Sequence, residues 1–404
     1  MPLLYNIVMS LQKKTVKIFA YVVGSLVLTW VTWNEEFYDG IRFRYWDMSA
    51  TLNKWPSCFE KWGLETFSSR LGDDSNLGVC LHFNYGIFTM PLYRIMASIS
   101  QDESFWTIFL FGIFIILMLS ISKNNWRIHA VSLIVLISPP AVLLFESGNP
   151  DLLNLIFSLG AGIALQKRLP MLFYFCVAFI TLHKFYGIVI WLTLLAGRLT
   201  SKLREIIVGG LVIVLTIFIL GFQYFSLGIY PFIDAASNHF GITIWDNYLR
   251  KAGFSVNQGL IQFLGIATLV VFVTLFLKTK PSQFYEAGPL RVSTSSALVT
   301  YLVFIFAYIS TSNVDYRLTF LGVAIALDSE HYISRGGLSR FFGCLAIVSL
   351  YLSYPMGYRE LLPGIPLQAI GDIILHVVVF YCCVRAWALL RRLRMDLAGN
   401  QLRI

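Results

Sequence analysis

Long apolar runs separated by short polar segments occupy most of this chain. About 20 apolar residues cross the hydrocarbon core of a bilayer, and a backbone exposed to lipid must satisfy its own hydrogen bonds by forming a helix. The pattern therefore predicts an all-α, polytopic integral membrane protein whose residues 1–404 form a single transmembrane domain. About 12 spans are predicted, roughly at 15–33, 105–122, 129–146, 153–166, 170–183, 186–197, 205–225, 259–277, 295–312, 317–330, 338–354 and 368–390.

The short gaps between the predicted spans give the chain an orientation. With the N-terminal Lys13, Lys14 and Lys17 placed inside, every second gap also lies inside, and each of these gaps contains lysine or arginine. This distribution is the positive-inside pattern. We therefore expect a multi-pass protein of the cell inner (plasma) membrane with both termini in the cytoplasm. The first apolar run is interpreted as a retained signal anchor, because no small-residue cleavage site follows it.

One stretch of the chain has two interpretations. Residues 170–197 divide between His183 and Gly187 into two legs of about 14 residues, each about 21 Å long as a helix and short for a full span. The favoured interpretation is a shallow hairpin with its tip below the outer surface, where protein or water must surround non-helical backbone. The alternative is one long tilted helix, which would invert the orientation of everything downstream.

Composition narrows the class of protein. Charged residues make up 13% of the chain and hydrophobic residues 57%, with a mean hydropathy of +0.70. A soluble domain carries about twice that share of charge. The formal net charge is +9, but the basic residues lie in short runs between apolar segments. This distribution excludes a nucleic-acid-binding face, which requires basic residues clustered on one soluble surface. The positive charge is instead interpreted as the signal that orients the spans in the membrane.

The predicted topology places two long loops outside, at about 34–104 and 226–258. A connection as long as the first is usually functional. Residues 86–99 in it are apolar but too short and too charged for a span, which predicts a short interfacial helix. Cys58 and Cys80 lie in the same loop. They form a disulfide if the compartment is oxidising, or else are two reduced thiols.

Polar residues from separate parts of the chain also collect on the predicted outer side. Asn149 and Asp151 lie in one turn, Lys184 lies at the hairpin tip, and Asp315 and Arg317 lie in another turn. Charged groups at bilayer depth are costly and usually face a cavity or a partner. The grouping therefore suggests a functional site. A second set of residues is expected to be structural or interfacial: Asp328, Glu330, Asp372, His376 and Arg385.

Four short segments resemble motifs of a known family. They are residues 83–85 (Phe-Asn-Tyr), 148–153 (Gly-Asn-Pro-Asp-Leu-Leu), 183–186 (His-Lys-Phe-Tyr) and 315–318 (Asp-Tyr-Arg-Leu). In order and spacing they resemble the GT-C membrane glycosyltransferases that depend on polyprenol phosphate, particularly glycosyltransferase family 87. Gly86 and Gly187 depart from that family, which often has proline there. Where the family has one clear aspartate, this chain offers several acids: Glu35, Glu36, Asp39 and Asp47.

The resemblance implies an inverting sugar transfer on the extracytoplasmic face, of the kind used in cell envelope glycan biosynthesis. The donor would be a sugar on a polyprenyl phosphate held in the membrane, and the acceptor a glycan or glycolipid. One carboxylate would take a proton from the acceptor hydroxyl while cations stabilise the departing lipid phosphate. No cofactor and no nucleic-acid partner are implied, and a divalent metal ion stays an open alternative.

The resemblance and the residue types together suggest individual roles. Asp47 is the expected general base, with Asp39 as the alternative. The expected ligands of the donor phosphate are Arg317, Lys184 and Arg94. The residues expected to contact the acceptor or the sugar are Asn149, Asp151, Asp315, His239 and Asp246. Orienting Lys184 is the alternative role of Asn149 and Asp151. Simpler roles stay open for most of these residues, namely helix capping, headgroup anchoring or a local ion pair.

Other functions stay open beside the enzyme. A secondary transporter or a flippase-like protein would have broken helices near the middle of the membrane, and Ser138-Pro139-Pro140 must kink its span, but repeated halves are not visible in the sequence. A polymerase or ligase that joins lipid-linked glycans would have much the same topology. A purely structural subunit is disfavoured, because outer charges without a role would be costly.

Overall fold

The computed structural model describes the chain at residues 48, 52, 89–123, 125–184, 186–196, 207–208, 210–211, 214–215, 218, 239–240, 258–279, 290–310, 313–314, 317–335, 337–352, 360–362 and 365–401. Regular structure in these residues is helical apart from two short antiparallel strand pairs. The helical fold class predicted from the apolar runs is therefore confirmed for this part of the chain.

The described helices range from seven to 35 residues in length. In chain order they are α1 (Met90–Ile99), α2 (Glu103–Ser122), α3 (Trp126–Leu136), α4 (Pro139–Glu146), α5 (Asp151–Gln166), α6 (Pro170–Lys184), α7 (Gly187–Ala196), α8 (Gln258–Thr279), α9 (Val292–Ser310), α10 (Leu318–Leu327), α11 (Ser329–Arg335), α12 (Gly337–Leu352) and α13 (Leu367–Gln401). Strand β1 (His239–Phe240) pairs with β2 (Asn313–Val314), and β3 (Glu360–Leu362) pairs with β4 (Ile365–Pro366).

Three of the described helices are long and apolar enough to cross a membrane. They are α2, α9 and α13, over Glu103–Ser122, Val292–Ile309 and Ile370–Met395. The pair α3–α4 passes the same test as one broken span, which makes up to four candidates in the described residues. Four shorter apolar helices, α5, α6, α10 and α12, coincide with further predicted spans. The predicted span 15–33 lies outside the described residues.

One face of α2 is apolar and exposed. Phe105 is 44% exposed on this face, and Ile108 and Ile116 are each 64% exposed. A large contiguous apolar surface is unfavourable in water. This is the surface expected of a helix that packs against lipid tails.

Helix α2 begins at a side-chain cap. The Asp102 carboxylate accepts hydrogen bonds from the backbone N–H of Ser104 at 2.9 Å and from its hydroxyl at 2.6 Å. These bonds satisfy a donor of the first helical turn, which has no partner within the helix. They also hold the pKa of the Asp102 carboxyl below its usual value. The cap fixes the polar start of the first described candidate span.

Helices α3 and α4 are bent by 73° at the break between them. Pro139 and Pro140 occupy the first turn of α4, where a missing N–H leaves no helical bond unmade. In a continuous helix the Pro139 ring would clash with the carbonyl four residues earlier. The Ser138 hydroxyl donates to the Val135 carbonyl at 2.6 Å and satisfies one acceptor at the end of α3. The kink predicted from the proline pair is confirmed.

Helices α6 and α7 double back on each other. The rings of Tyr174 and Trp191 stack with their centroids 5.5 Å apart, whereas in one continuous helix they would be about 25 Å apart. Gly187 lies beside the preceding helix in the same way, since a Cβ added there would lie 2.5 Å from the Val177 carbonyl oxygen. The predicted division of this stretch into two helices that double back on each other is therefore confirmed, and the long-helix interpretation is wrong.

Helix α10 lies at the centre of the packed helices. All of its residues are buried, and it contacts α9, α3 and α12. A helix that is apolar on every side belongs in the interior of a large protein. Its length is only about 15 Å at 1.5 Å per residue. Charged groups lie at both of its ends, Arg317 before its first residue and Asp328 after its last.

The C-terminal end of α10 is held by a balanced ion pair. Arg385 donates from Nε and Nη2 to the two carboxylate oxygens of Asp328, at 2.7 and 2.8 Å. The Tyr301 hydroxyl lies 3.5 Å from the same carboxylate and 2.6 Å from the Tyr332 hydroxyl. One acid thus meets one base in a fork geometry. The pair joins α10, α9 and α13, in agreement with the structural role expected for Asp328 and Arg385.

We predict that Gly187→Ala destabilises the protein by about 1–3 kcal/mol, as overpacking of a tight interior does. The new methyl group would meet the Val177 carbonyl oxygen, and the Thr181 hydroxyl lies even closer. Thermal unfolding of the purified protein in detergent measures the effect. Gly112→Ala is the matched control, because nothing lies within 4 Å of a Cβ there. Equal unfolding temperatures for the two variants would contradict the packing of the hairpin.

Candidate functional site

A buried cluster of charged groups surrounds Asp151, which is 0% exposed. One of its oxygens, Oδ2, accepts from Arg317 Nε at 2.9 Å and from Lys184 Nζ at 3.2 Å. The other oxygen, Oδ1, accepts from Asn154 Nδ2 at 2.7 Å. Asp151, Lys184 and Arg317 are called the triad below. Within it, one negative charge faces two positive charges.

The turn before α5 places Asp151 at the start of that helix. Gly148 has φ of +61°, a left-handed conformation that glycine adopts without strain. The Asn149 side-chain oxygen then accepts from the Asp151 backbone N–H at 2.8 Å. This is a capping bond, so the simpler role left open for Asn149 has direct support. The turn fixes both the backbone and the orientation of the acid.

The two cations come from the hairpin and from the start of α10. Lys184 is the last residue of α6, and Arg317 immediately precedes α10; both are 5% exposed. The Arg317 guanidinium carbon lies 6.0 Å from the ring centroid of Tyr186, within the range of a cation–π contact. The hairpin tip therefore contributes one charge and one aromatic ring. Arg317 pairs with Asp151, a partner far away in the sequence.

Polar side chains extend the cluster away from the triad. The Asn154 side-chain oxygen lies 2.9 Å from His183 Nδ1, and His183 Nε2 lies 2.7 Å from the Tyr93 hydroxyl. Sequence reasoning assigned no role to Tyr93, His183 or Asn154. The available signal for Asn154 was its position three residues after Asp151, on the same face of a helix. Arg94, the expected phosphate ligand next to Tyr93, is exposed.

Segments of both long loops reach the turns of the cluster. The Met48 backbone N–H lies 3.4 Å from the Ser147 carbonyl oxygen, and Met48 is 1% exposed. In the second loop, the backbone of His239 pairs with Val314, three residues before Arg317. The convergence predicted from sidedness is therefore seen for these backbone segments and for the triad.

Several expected site residues lie outside the described part of the chain: Asp39, Asp47, Cys58, Cys80, Asp246 and Asp315. His239 is described by its backbone pairing. The described cysteines are free thiols, at positions 176, 344, 382 and 383. Among the described residues, no group of three His, Cys, Asp or Glu side chains is arranged to hold a metal ion.

The triad has the composition of an anion site. Buried charges are strongly disfavoured unless they are paired, and each cation of the triad is paired with Asp151. Arginine binds phosphate oxygens in a planar fork and lysine binds them as a point charge. Asp151 holds both cations side by side at fixed positions. Two cations of these types in such an arrangement can bind an oxyanion such as a phosphate group.

No model of a known protein family, no curated protein and no solved structure matches this chain.

We predict that Asp151→Asn costs about 3–5 kcal/mol of stability, because it removes the negative charge that two buried cations share. Lys184→Met should cost clearly less, since the ion pair of Asp151 with Arg317 remains. Thermal unfolding in detergent compares the two variants. If Lys184→Met proves as unstable as Asp151→Asn, the central role assigned to Asp151 in the triad is wrong.

Proposed function

We propose that this protein is a membrane glycosyltransferase of GT-C type, with about 12 spans, that transfers a sugar from a polyprenyl-phosphate donor to a glycan or glycolipid on the extracytoplasmic face. The observation that carries the proposal is the buried triad, in which two cations share one carboxylate oxygen. The four family-like segments agree with it, because three of them supply the residues of the triad and the fourth lies a few residues before α1.

The triad fits the leaving group of such a reaction. When the bond between the anomeric carbon and the phosphate oxygen breaks, negative charge grows on the lipid phosphate. Preorganised cations in a site shielded from water stabilise that charge more strongly than exposed ones do. Arg317 and Lys184 are the proposed phosphate ligands, and Arg94 stays a prediction for a more exposed contact.

The lengths of the helices favour a donor that is held in the membrane. Helices α5 and α6 are about 24 and 22 Å long, whereas the hydrocarbon core is about 30 Å thick. If their opposite ends lie at the inner surface, the triad lies below the outer surface. A phosphate attached to a membrane lipid can reach this depth while its chain stays in the bilayer.

The proposed general base is Asp47. Its sequence neighbour Met48 is buried and hydrogen-bonds through its backbone to Ser147, four residues before Asp151. A carboxylate there would accept the proton of the acceptor hydroxyl as its oxygen attacks the anomeric carbon from the face opposite the phosphate. Asp39 is the alternative base. Asn149, Asp315, His239 and Asp246 remain the proposed contacts of the sugar and acceptor.

Of the two roles expected for Asp151, the contacts favour orienting Lys184 over binding the acceptor. A sugar ligand must offer an oxygen to the substrate, but both oxygens of this carboxylate accept hydrogen bonds from protein groups, and the side chain is 0% exposed. We therefore assign Asp151 to holding the two cations in position. The proposed contacts with the acceptor are then made by residues nearer the loops.

One observation favours a competing function. The break between α3 and α4, with its 73° bend, resembles the discontinuous helices of secondary transporters. Such a helix end usually points at a bound ion or substrate. In a transporter the triad would bind a solute anion and release it unchanged on the other side.

An assay of donor consumption separates the two functions. We predict that the purified protein in nanodiscs, given a panel of polyprenyl-phosphate sugars and glycan acceptors, releases free lipid phosphate. Arg317→Ala should lower turnover by on the order of 100-fold or more, because one stabilising cation is lost. Arg340→Gln, an exposed arginine on α12, is the matched control. Solute uptake by proteoliposomes without any donor consumption would establish the transporter instead.

We also predict that Asp47→Asn abolishes turnover while the protein still binds the donor, because the amide cannot accept the proton of the attacking hydroxyl. Turnover and donor binding are measured on the same preparation. Near-normal turnover in this variant would eliminate Asp47, and loss of turnover in Asp39→Asn would then identify the base.

A further inference from the structure

A hydrogen-bonded chain connects α1 to the triad. It runs from the Tyr93 hydroxyl to His183 Nε2 (2.7 Å), from His183 Nδ1 to the Asn154 side-chain oxygen (2.9 Å) and from Asn154 Nδ2 to Asp151 Oδ1 (2.7 Å). Tyr93, His183, Asn154 and Asp151 are all 0% exposed. These four residues lie on three helices, α1, α5 and α6, and no two of them are adjacent in the sequence.

The chemistry of Asp151 determines the direction of every bond in the chain. Paired with two cations, this carboxylate is ionised and can only accept hydrogen bonds. The Asn154 group that faces it must therefore be the NH₂ group, since an oxygen 2.7 Å away would repel it. It follows that Asn154 presents its oxygen to His183.

The same argument fixes the tautomer of His183. An amide oxygen can only accept, so His183 Nδ1 must carry a proton and donate it to Asn154. In a neutral ring the other nitrogen, Nε2, then accepts, and Tyr93 donates its hydroxyl proton. All three bonds therefore point from Tyr93 towards Asp151, and each one needs the next in order to keep its orientation.

We infer that Tyr93, His183 and Asn154 are positioning residues for the anion site, with His183 held as the neutral, Nδ1-protonated tautomer. The inference rests on the proposed function, since it assigns these residues to the phosphate-binding triad. By occupying Asp151 Oδ1, Asn154 leaves Oδ2 to the two cations. The carboxylate is thus held in one orientation, and with it the positions of Arg317 and Lys184.

Two substitutions of His183 test the direction of the chain. In His183→Asn the new amide occupies the place of Nδ1 and can still donate to Asn154, whereas in His183→Gln it occupies the place of Nε2. The probe is farnesyl phosphate, and its affinity is measured by titration of the purified full-length protein in detergent. We expect His183→Gln to weaken binding by about tenfold, the effect of one lost buried hydrogen bond. His183→Asn loses only the bond to Tyr93 and should weaken binding no more than Tyr93→Phe does.

Two tyrosine variants separate an effect on phosphate binding from an effect on stability alone. Tyr93→Phe removes the first hydroxyl of the chain and should weaken the binding of farnesyl phosphate by several-fold. Tyr351→Phe removes a hydroxyl that donates to the Ile134 carbonyl at 2.9 Å, outside the cluster, and should leave the affinity unchanged. Unfolding temperatures without the probe show whether each variant is folded. A merely structural Tyr93 would change the unfolding temperature and leave the affinity of the folded protein as it is.

The possible outcomes separate the inference from the function on which it rests. If the wild-type protein does not bind farnesyl phosphate, there is no lipid-phosphate site and both are overturned. If it binds, and Arg317→Ala weakens binding while His183→Gln and Tyr93→Phe bind as tightly as the wild type, only the positioning chain is overturned. Should His183→Gln fail to fold, Tyr93→Phe alone decides the matter.

Discussion

The structure depends on one shared carboxylate. Asp151 draws Lys184 from the end of α6 and Arg317 from the start of α10 to a single oxygen, in an interior where none of the three is more than 5% exposed. Each charge would be strongly disfavoured there without the others. The hairpin, the turn before α5 and the central helix must therefore meet at this point, and the relative placement of these elements follows from it.

Both ends of α10 are held by buried charges, but in different arrangements. At its C-terminal end, Asp328 and Arg385 form a bidentate pair of one acid and one base. At its N-terminal end, two cations meet one oxygen of Asp151, and the other oxygen accepts from an amide. Two adjacent cations are what the proposed phosphate site requires, and the pair at the other end of the helix offers no such arrangement.

Sequence reasoning predicted the helices and the meeting of three charged residues, but not the polar side chains that surround them. Apolar run length predicted the helices, the Lys184 and Gly187 positions predicted the hairpin, and sidedness predicted that Asp151, Lys184 and Arg317 would meet. The contact between Asn154 and His183 could not be predicted. An amide inside an apolar helix has no local sequence pattern that identifies its long-range partner. Tyr93 was missed for a related reason: a buried aromatic residue with a polar tip has the same pattern as a membrane-interface tyrosine.

In the proposed reaction, the charges of the triad affect the rate of the chemical step as well as the binding of the donor. In the proposed reaction the donor is a phosphodiester with one negative charge, while the departing lipid phosphate approaches two. Cations therefore attract the transition state more strongly than the bound donor, which is the condition for faster chemistry and not merely tighter binding. Two cations alone would also hold the donor and the product too firmly. Asp151 reduces the positive charge that the site presents to the bound donor. The proposed site therefore responds mainly to the negative charge that grows on the phosphate as the bond to the sugar breaks.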